Sequence, residues 1–115
     1  MKGGAHSYLG QSSSPDSLMI WTRHLDHLEL HDAFVPKGCE GKVGPVPAVS
    51  VGSGAKFIQL YDFVVTKAGR YVQGGGCTSV GVGGHMQTGG FGSFSRYGGM
   101  TAASLLEAEI VTADG

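Results

Sequence analysis

Nine glycines fall within nineteen consecutive residues, from Gly74 to Gly92. Any fold that contains this stretch must run backbone where side chains cannot go. Ordered glycine runs persist where φ is positive or where the chain approaches something closely. The stretch does not read as a flexible linker, because such linkers mix Gly with Ser and exclude bulky groups. This one carries Cys77, Val80, Val82, His85, Met86 and Phe91. Across the chain Gly makes up 21 of 115 residues, more than twice the ~7% of an average domain.

Other properties narrow the classes. A length of 115 residues allows one domain or part of one. Hydrophobic residues at 41% are enough for a core, and a net charge of −1 implies no basic face, which argues against nucleic acid as a partner. No segment approaches the roughly 20 apolar residues that span a bilayer, and no apolar h-region of a secretory signal follows the start. Localisation stays open. Cys39 and Cys77 make no disulfide framework.

The pattern along the chain predicts strands at Ser17–Thr22, near Leu28–His31, at Ala48–Gly52 and at Tyr71–Gln73, with a loop from Val35 to Pro47. Phe57, Leu60, Tyr61, Val64 and Ala68 recur at helical spacing, with Ser53 able to cap the start and Gly69 able to end the helix. Leu105 to Ala113 alternates in part and closes on Asp114-Gly115, a hairpin signal that asks for a partner strand. Met1-Lys2-Gly3-Gly4 reads as the end of a strand. Both ends therefore predict a slice truncated on each side, residues 1–115 being a partial domain.

Two motifs carry chemistry. Lys2-Gly3-Gly4-Ala5-His6-Ser7-Tyr8 puts a histidine at the tip of a glycine turn, and Gly76-Cys77-Thr78-Ser79-Val80-Gly81-Val82-Gly83-Gly84-His85 puts a cysteine before an almost side-chain-free run. They supply two nucleophilic atoms and two backbone cradles, suited to a large phosphorylated cofactor. The bland alternatives are a loop histidine without a role, a small buried cysteine, and a His85 that packs within the run. Gly81-Val82-Gly83 lacks the third glycine of G-x-G-x-x-G, and neither a Gly-Lys-Ser/Thr P-loop nor a G-x-S-x-G elbow occurs. His24, His27 and His31 would share one face of a helix, but the Leu28-Glu29-Leu30 pattern favours a strand, which scatters them, so no metal site is expected.

Four motifs in order resemble the flavin-binding domain of the vanillyl-alcohol oxidase and para-cresol methylhydroxylase superfamily, closest to its berberine-bridge-enzyme-like oxidases. Gly4-Ala5-His6-Ser7 is similar to a Gly-Gly-His-Ser loop, with Ala5 for the second Gly. Cys77 to His85 with Gly89-Gly90-Phe91-Gly92 is similar to Cys-x-Thr-Val-Gly-x-Gly-Gly-His followed by Gly-Gly-Phe-Gly. Arg96-Tyr97-Gly98-Gly99 and Val111-Thr112-Ala113-Asp114-Gly115 complete the set.

The resemblance implies an α+β fold, the second subdomain of the para-cresol methylhydroxylase type, with antiparallel strands and flanking helices. It implies FAD as cofactor, held covalently through His6 and in one branch also through Cys77. Each bond would draw electron density from the flavin and make it a stronger oxidant. The implied cofactor contacts are Gly3, Gly4, Ala5, His6, Ser7, Cys77, Thr78, Val80, Gly81, Gly84, His85 and Val111. Ala5 puts a positive-φ requirement in question, and no catalytic residue is assigned. The implied parent is an FAD-linked oxidoreductase that oxidises an alcohol, sugar or similar small molecule, with dioxygen as acceptor and flanking domains outside this chain. The competing readings are a truncated non-catalytic product, a binding module, and a metal-binding protein built on the histidines.

Overall fold

The computed structural model describes residues 1–38, 41–42 and 44–115. Cys39, the other cysteine of the sequence, lies outside the described residues. The fold is α+β: a two-stranded antiparallel sheet, β1 (Leu28–Phe34) and β2 (Val46–Val51), with short helices α1 (Phe57–Tyr61), α2 (Val82–Gln87) and α3 (Ser95–Gly98). Two less regular turns complete it, a π-helix over Asp62–Lys67 and a 3₁₀ turn over Thr101–Ser104.

The sheet follows from its alternation. Leu28 pairs with Val51 and Leu30 with Val49, and these four pack on the core, while Glu29 and Ser50 pair between them. His31 Nε2 reaches Ser50 Oγ across the strands at 2.9 Å, a diagonal pair of the kind that pins register. A bulge between His31 and Phe34 shifts the register before the loop begins.

The predicted helix is present but not uniform. Phe57, Leu60 and Val64 fall on its buried face and join Ala55 and Val82 as the core. From Asp62 the turns widen to the π form, and Lys67 Nζ spans them to Asp62 Oδ2 at 2.7 Å. Gly69, at φ +64, ends the helix as expected, its N–H donating to Val65 O at 3.1 Å. Ser53 is not the cap. Lys56 holds that position, its N–H donating to Gln59 Oε1 at 2.8 Å. The next donors are satisfied from far along the chain: Phe57 N–H by Val80 O at 3.1 Å and Ile58 N–H by Thr78 O at 2.8 Å. Orphan helix donors need an acceptor, and here the loop of the second motif supplies it.

Three predicted strands reduce to less. Ser17–Thr22 keeps one parallel bridge, Trp21 to Lys2. Tyr71–Gln73 and Leu105–Ala113 form no ladder among the described residues. Tyr71 instead turns its hydroxyl to Gln73 Oε1, and Gln73, nearly buried, donates to Ser95 Oγ at 3.2 Å. The closing turn at Asp114 does form, with Gly115 N–H on Thr112 O at 3.1 Å.

Candidate functional site

The two motifs meet although 73 positions separate His6 from Ser79. His6 Nε2 lies 2.9 Å from Ser79 Oγ, and behind that contact the backbones touch. A Cβ on Gly4 would fall 2.4 Å from Gly81 N and 2.8 Å from Ser79 O, and one on Gly81 would fall 2.6 Å from Gly4 N. No side chain fits between these loops, so Gly4 and Gly81 are required by the approach itself. The second loop is anchored in turn on α1, through the helix donors described above and through Val82 N–H on Ala55 O at 2.8 Å. The first loop is anchored on the 20–22 segment, where Lys2 N–H donates to Ile20 O at 2.8 Å and Thr22 N–H to Lys2 O at 3.0 Å.

Ala5 stands at φ +58. The left-handed turn that the resemblance raised for this position is therefore made, by a residue for which it costs about 1 kcal/mol more than for glycine. His6 and Ser7 follow on the exposed tip. Ser7 Oγ turns away toward Gln11 Oε1. Cys77 is a free, exposed thiol at the start of the second loop, its carbonyl accepting from Val80 N–H at 3.2 Å.

Gly3 and Gly84 differ from Gly4 and Gly81. Around a Cβ on Gly84, in the middle of α2, no atom beyond its own helix backbone and chain neighbours lies within 4 Å, and on Gly3 the nearest is Ser53 O at 3.8 Å. Neither has a positive φ. The chain's own packing does not ask for glycine there, and in a helix glycine is unfavourable by about 0.5–1 kcal/mol against alanine.

His85 is the best-partnered ring. It stands edge-on to Phe57, centroids 4.7 Å apart, and its Nε2 lies 3.0 Å from Thr101 Oγ1. The buried Thr101 hydroxyl lies 2.9 Å from Gly90 O, which it can only donate to. With that single hydrogen committed, Nε2 of His85 carries a proton and donates to Thr101. Burial lowers the imidazole pKa below the ordinary histidine value, which keeps the ring neutral with Nδ1 bearing the lone pair. Val111 is 82% exposed near the far end of the chain. Ser79 and Trp21 are contacts that sequence reasoning missed. A hydroxyl two residues after a cysteine could have signalled the first, and nothing local signals the second.

His24, His27 and His31 go to separate partners: Arg23 Nε at 3.1 Å, Glu29 Oε2 at 3.4 Å and Ser50 Oγ at 2.9 Å. Among the described residues no three His, Cys, Asp or Glu side chains are grouped to hold a metal ion. No helix among them is long and apolar enough to cross a membrane.

A family model described as FAD binding domain matches residues 1–115. The chain is 41% identical over its whole length to the FAD-linked oxidoreductase phmC of Phaeosphaeria nodorum, covering 26% of that protein. It is 42% identical to aurantioclavine synthase cnsA of Penicillium expansum, covering 25% of it, and 39% identical to the FAD-linked oxidoreductase easE of Arthroderma benhamiae, covering 23%. The chain thus spans about a quarter of the length of these curated relatives. No solved structure matches it.

Proposed function

The chain belongs to the FAD binding domain family, and from that premise we propose that it forms one wall of the flavin site of an FAD-linked oxidoreductase. In this reading it is the second subdomain of the para-cresol methylhydroxylase type, in the berberine-bridge-enzyme-like branch. The observation that carries the reading is the joining of the two motifs. Their loops meet backbone to backbone at Gly4 and Gly81, with His6 on Ser79 beside the contact.

The residues fit such a cofactor. A Cβ would be tolerated at Gly3 and would meet open space at Gly84, so glycine at these positions fits a ligand that comes close to backbone. The imidazole of His6 and the thiol of Cys77 are both exposed. When His6 donates from Nε2 to Ser79, its Nδ1 keeps the lone pair and is the nitrogen available for attachment. Cys77 supplies the second attachment from the loop that holds Ser79. Glycine-rich loops of this kind can present backbone N–H groups to a diphosphate. Bound FAD would supply a two-electron acceptor for an alcohol, sugar or similar small molecule, with dioxygen as the final acceptor. In this reading the chain contributes contacts to the cofactor.

The test is acid precipitation of the full-length protein that contains this chain. A yellow pellet is expected, with flavin-modified peptides carrying His6 and Cys77 in the mass spectrum. A colourless pellet with all FAD in solution rejects covalent attachment. A modified His6 beside a free, alkylatable Cys77 rejects the second link alone.

A further inference from the structure

We infer that Trp21 is a positioning residue for His6, acting through the carbonyl of Gly3; the inference rests on the flavin-site reading above. The peptide unit between Gly3 and Gly4 lies between two residues with no Cβ, so sterics alone leave its orientation open. Two contacts close that freedom. On one side the Gly4 N faces Gly81 so tightly that a Cβ there would fall 2.6 Å away. On the other, Trp21 Nε1–H donates to Gly3 O at 3.2 Å. The indole hydrogen bond selects the orientation in which the chain leaves Gly3, and with it the path through Gly4 and the left-handed Ala5 to His6.

The indole is held for this task. Lys2 Nζ lies 4.3 Å from the centroid of the ring and the Arg23 guanidinium carbon 4.8 Å, both within cation–π range. The neighbouring backbone is fixed independently by Lys2 on Ile20 and Thr22, and Thr22 Oγ1 adds a bond to Lys2 O at 3.3 Å. Removing the indole N–H therefore leaves the strand-like bridge in place and releases only the Gly3 carbonyl. Trp21 is not part of the resemblance motifs and touches neither proposed attachment atom.

The experiment compares wild type with Trp21→Phe in the full-length protein, which keeps an aromatic face for both cations and deletes the donor. The readouts are the fraction of FAD retained through acid precipitation, the total FAD bound before it, and the melting temperature. The expected result is a covalent fraction lower by roughly fivefold, the loss of one hydrogen bond's net weight, with total FAD and melting temperature close to wild type. An unchanged covalent fraction in Trp21→Phe overturns the inference. If that variant does not fold, the benzothiophene isostere of tryptophan at position 21 has the same shape without the donor, and the same two outcomes decide. A wild type with no covalent flavin overturns the reading beneath the inference rather than the role of Trp21 within it.

Discussion

At the scale of single residues, the site depends on small hydroxyls that hold larger rings. Ser79 holds His6 from the opposite loop at 2.9 Å. Ser79→Ala should lower the histidyl-linked fraction of flavin several-fold, while Ser79→Thr keeps the hydroxyl and retains it. Because the contact is exposed, the alanine change should alter stability by less than about 0.5 kcal/mol, so denaturant midpoints separate positioning from folding. His85 makes a pH prediction. Burial sets its folded-state pKa below the ordinary 6.5, so on acidification the unfolded chain takes up this proton first. Stability should therefore fall as pH drops through about 6.5 toward the folded value. In the full-length protein, urea midpoints measured at about pH 7 and about pH 5 should differ less for His85→Gln than for wild type. Equal differences would place the dependence elsewhere.

At the scale of elements, what could be read from sequence was what local pattern dictates. β1 and β2 follow from alternation, and the helix that starts at Phe57 from its apolar spacing and its Gly69 stop. The cap at Lys56 rests on a local partner, Gln59, but the acceptors for Phe57 and Ile58 could not be read, because they are carbonyls of Val80 and Thr78, about twenty residues downstream. Nor could α2. Gly83-Gly84 argues against a helix, and Val82–Gln87 becomes one because Val82 is buried and donates to Ala55 O. Ser17–Thr22 has strand composition, yet one bridge to Lys2 is all its neighbours offer. The loop–loop contact at the site was legible as two motifs, but not the pairing of Gly4 with Gly81, which only the fold creates. The two glycines of α2 make opposite predictions. A Cβ on Gly83 would fall 2.8 Å from Ser53 O, so Gly83→Ala should destabilise. Gly84→Ala meets open space and should stabilise by about 0.5–1 kcal/mol, yet weaken FAD binding by roughly tenfold. Titration with FAD in a His6→Ala, Cys77→Ala background, where binding is reversible, checks this, and an unchanged affinity removes Gly84 from the cofactor contacts.

At the scale of the molecule, the described core is small. It is Ala55, Phe57, Leu60, Val64 and Val82, while large apolar groups such as Leu9, Leu18 and Ile110 are 83%, 91% and 76% exposed. The radius of gyration is 14.9 Å, above the ~13 Å of a compact chain of this length. Residues 1–115 expressed alone should bind hydrophobic dyes, melt without a sharp transition and hold FAD weakly, as calorimetry and FAD titration would show; a cooperative melt with tight FAD binding would contradict this. The contact of Gly4 with Gly81 has a consequence of its own. Side chains are the compliant parts of a protein, able to change rotamer and absorb a displacement, whereas peptide units are stiff and planar. Here two distant stretches of sequence meet through peptide units, with the His6–Ser79 pair beside them, as two faces of a gauge are set against a hard stop. The gap at that stop has little slack, while the second loop takes its own place from the core through Val82 and Ala55. Thinning the core at Leu60 or Val64, away from the bonds that hold the loop, should change how many molecules reach the native state more than it changes the alignment of His6 with the Cys77 loop in those that do.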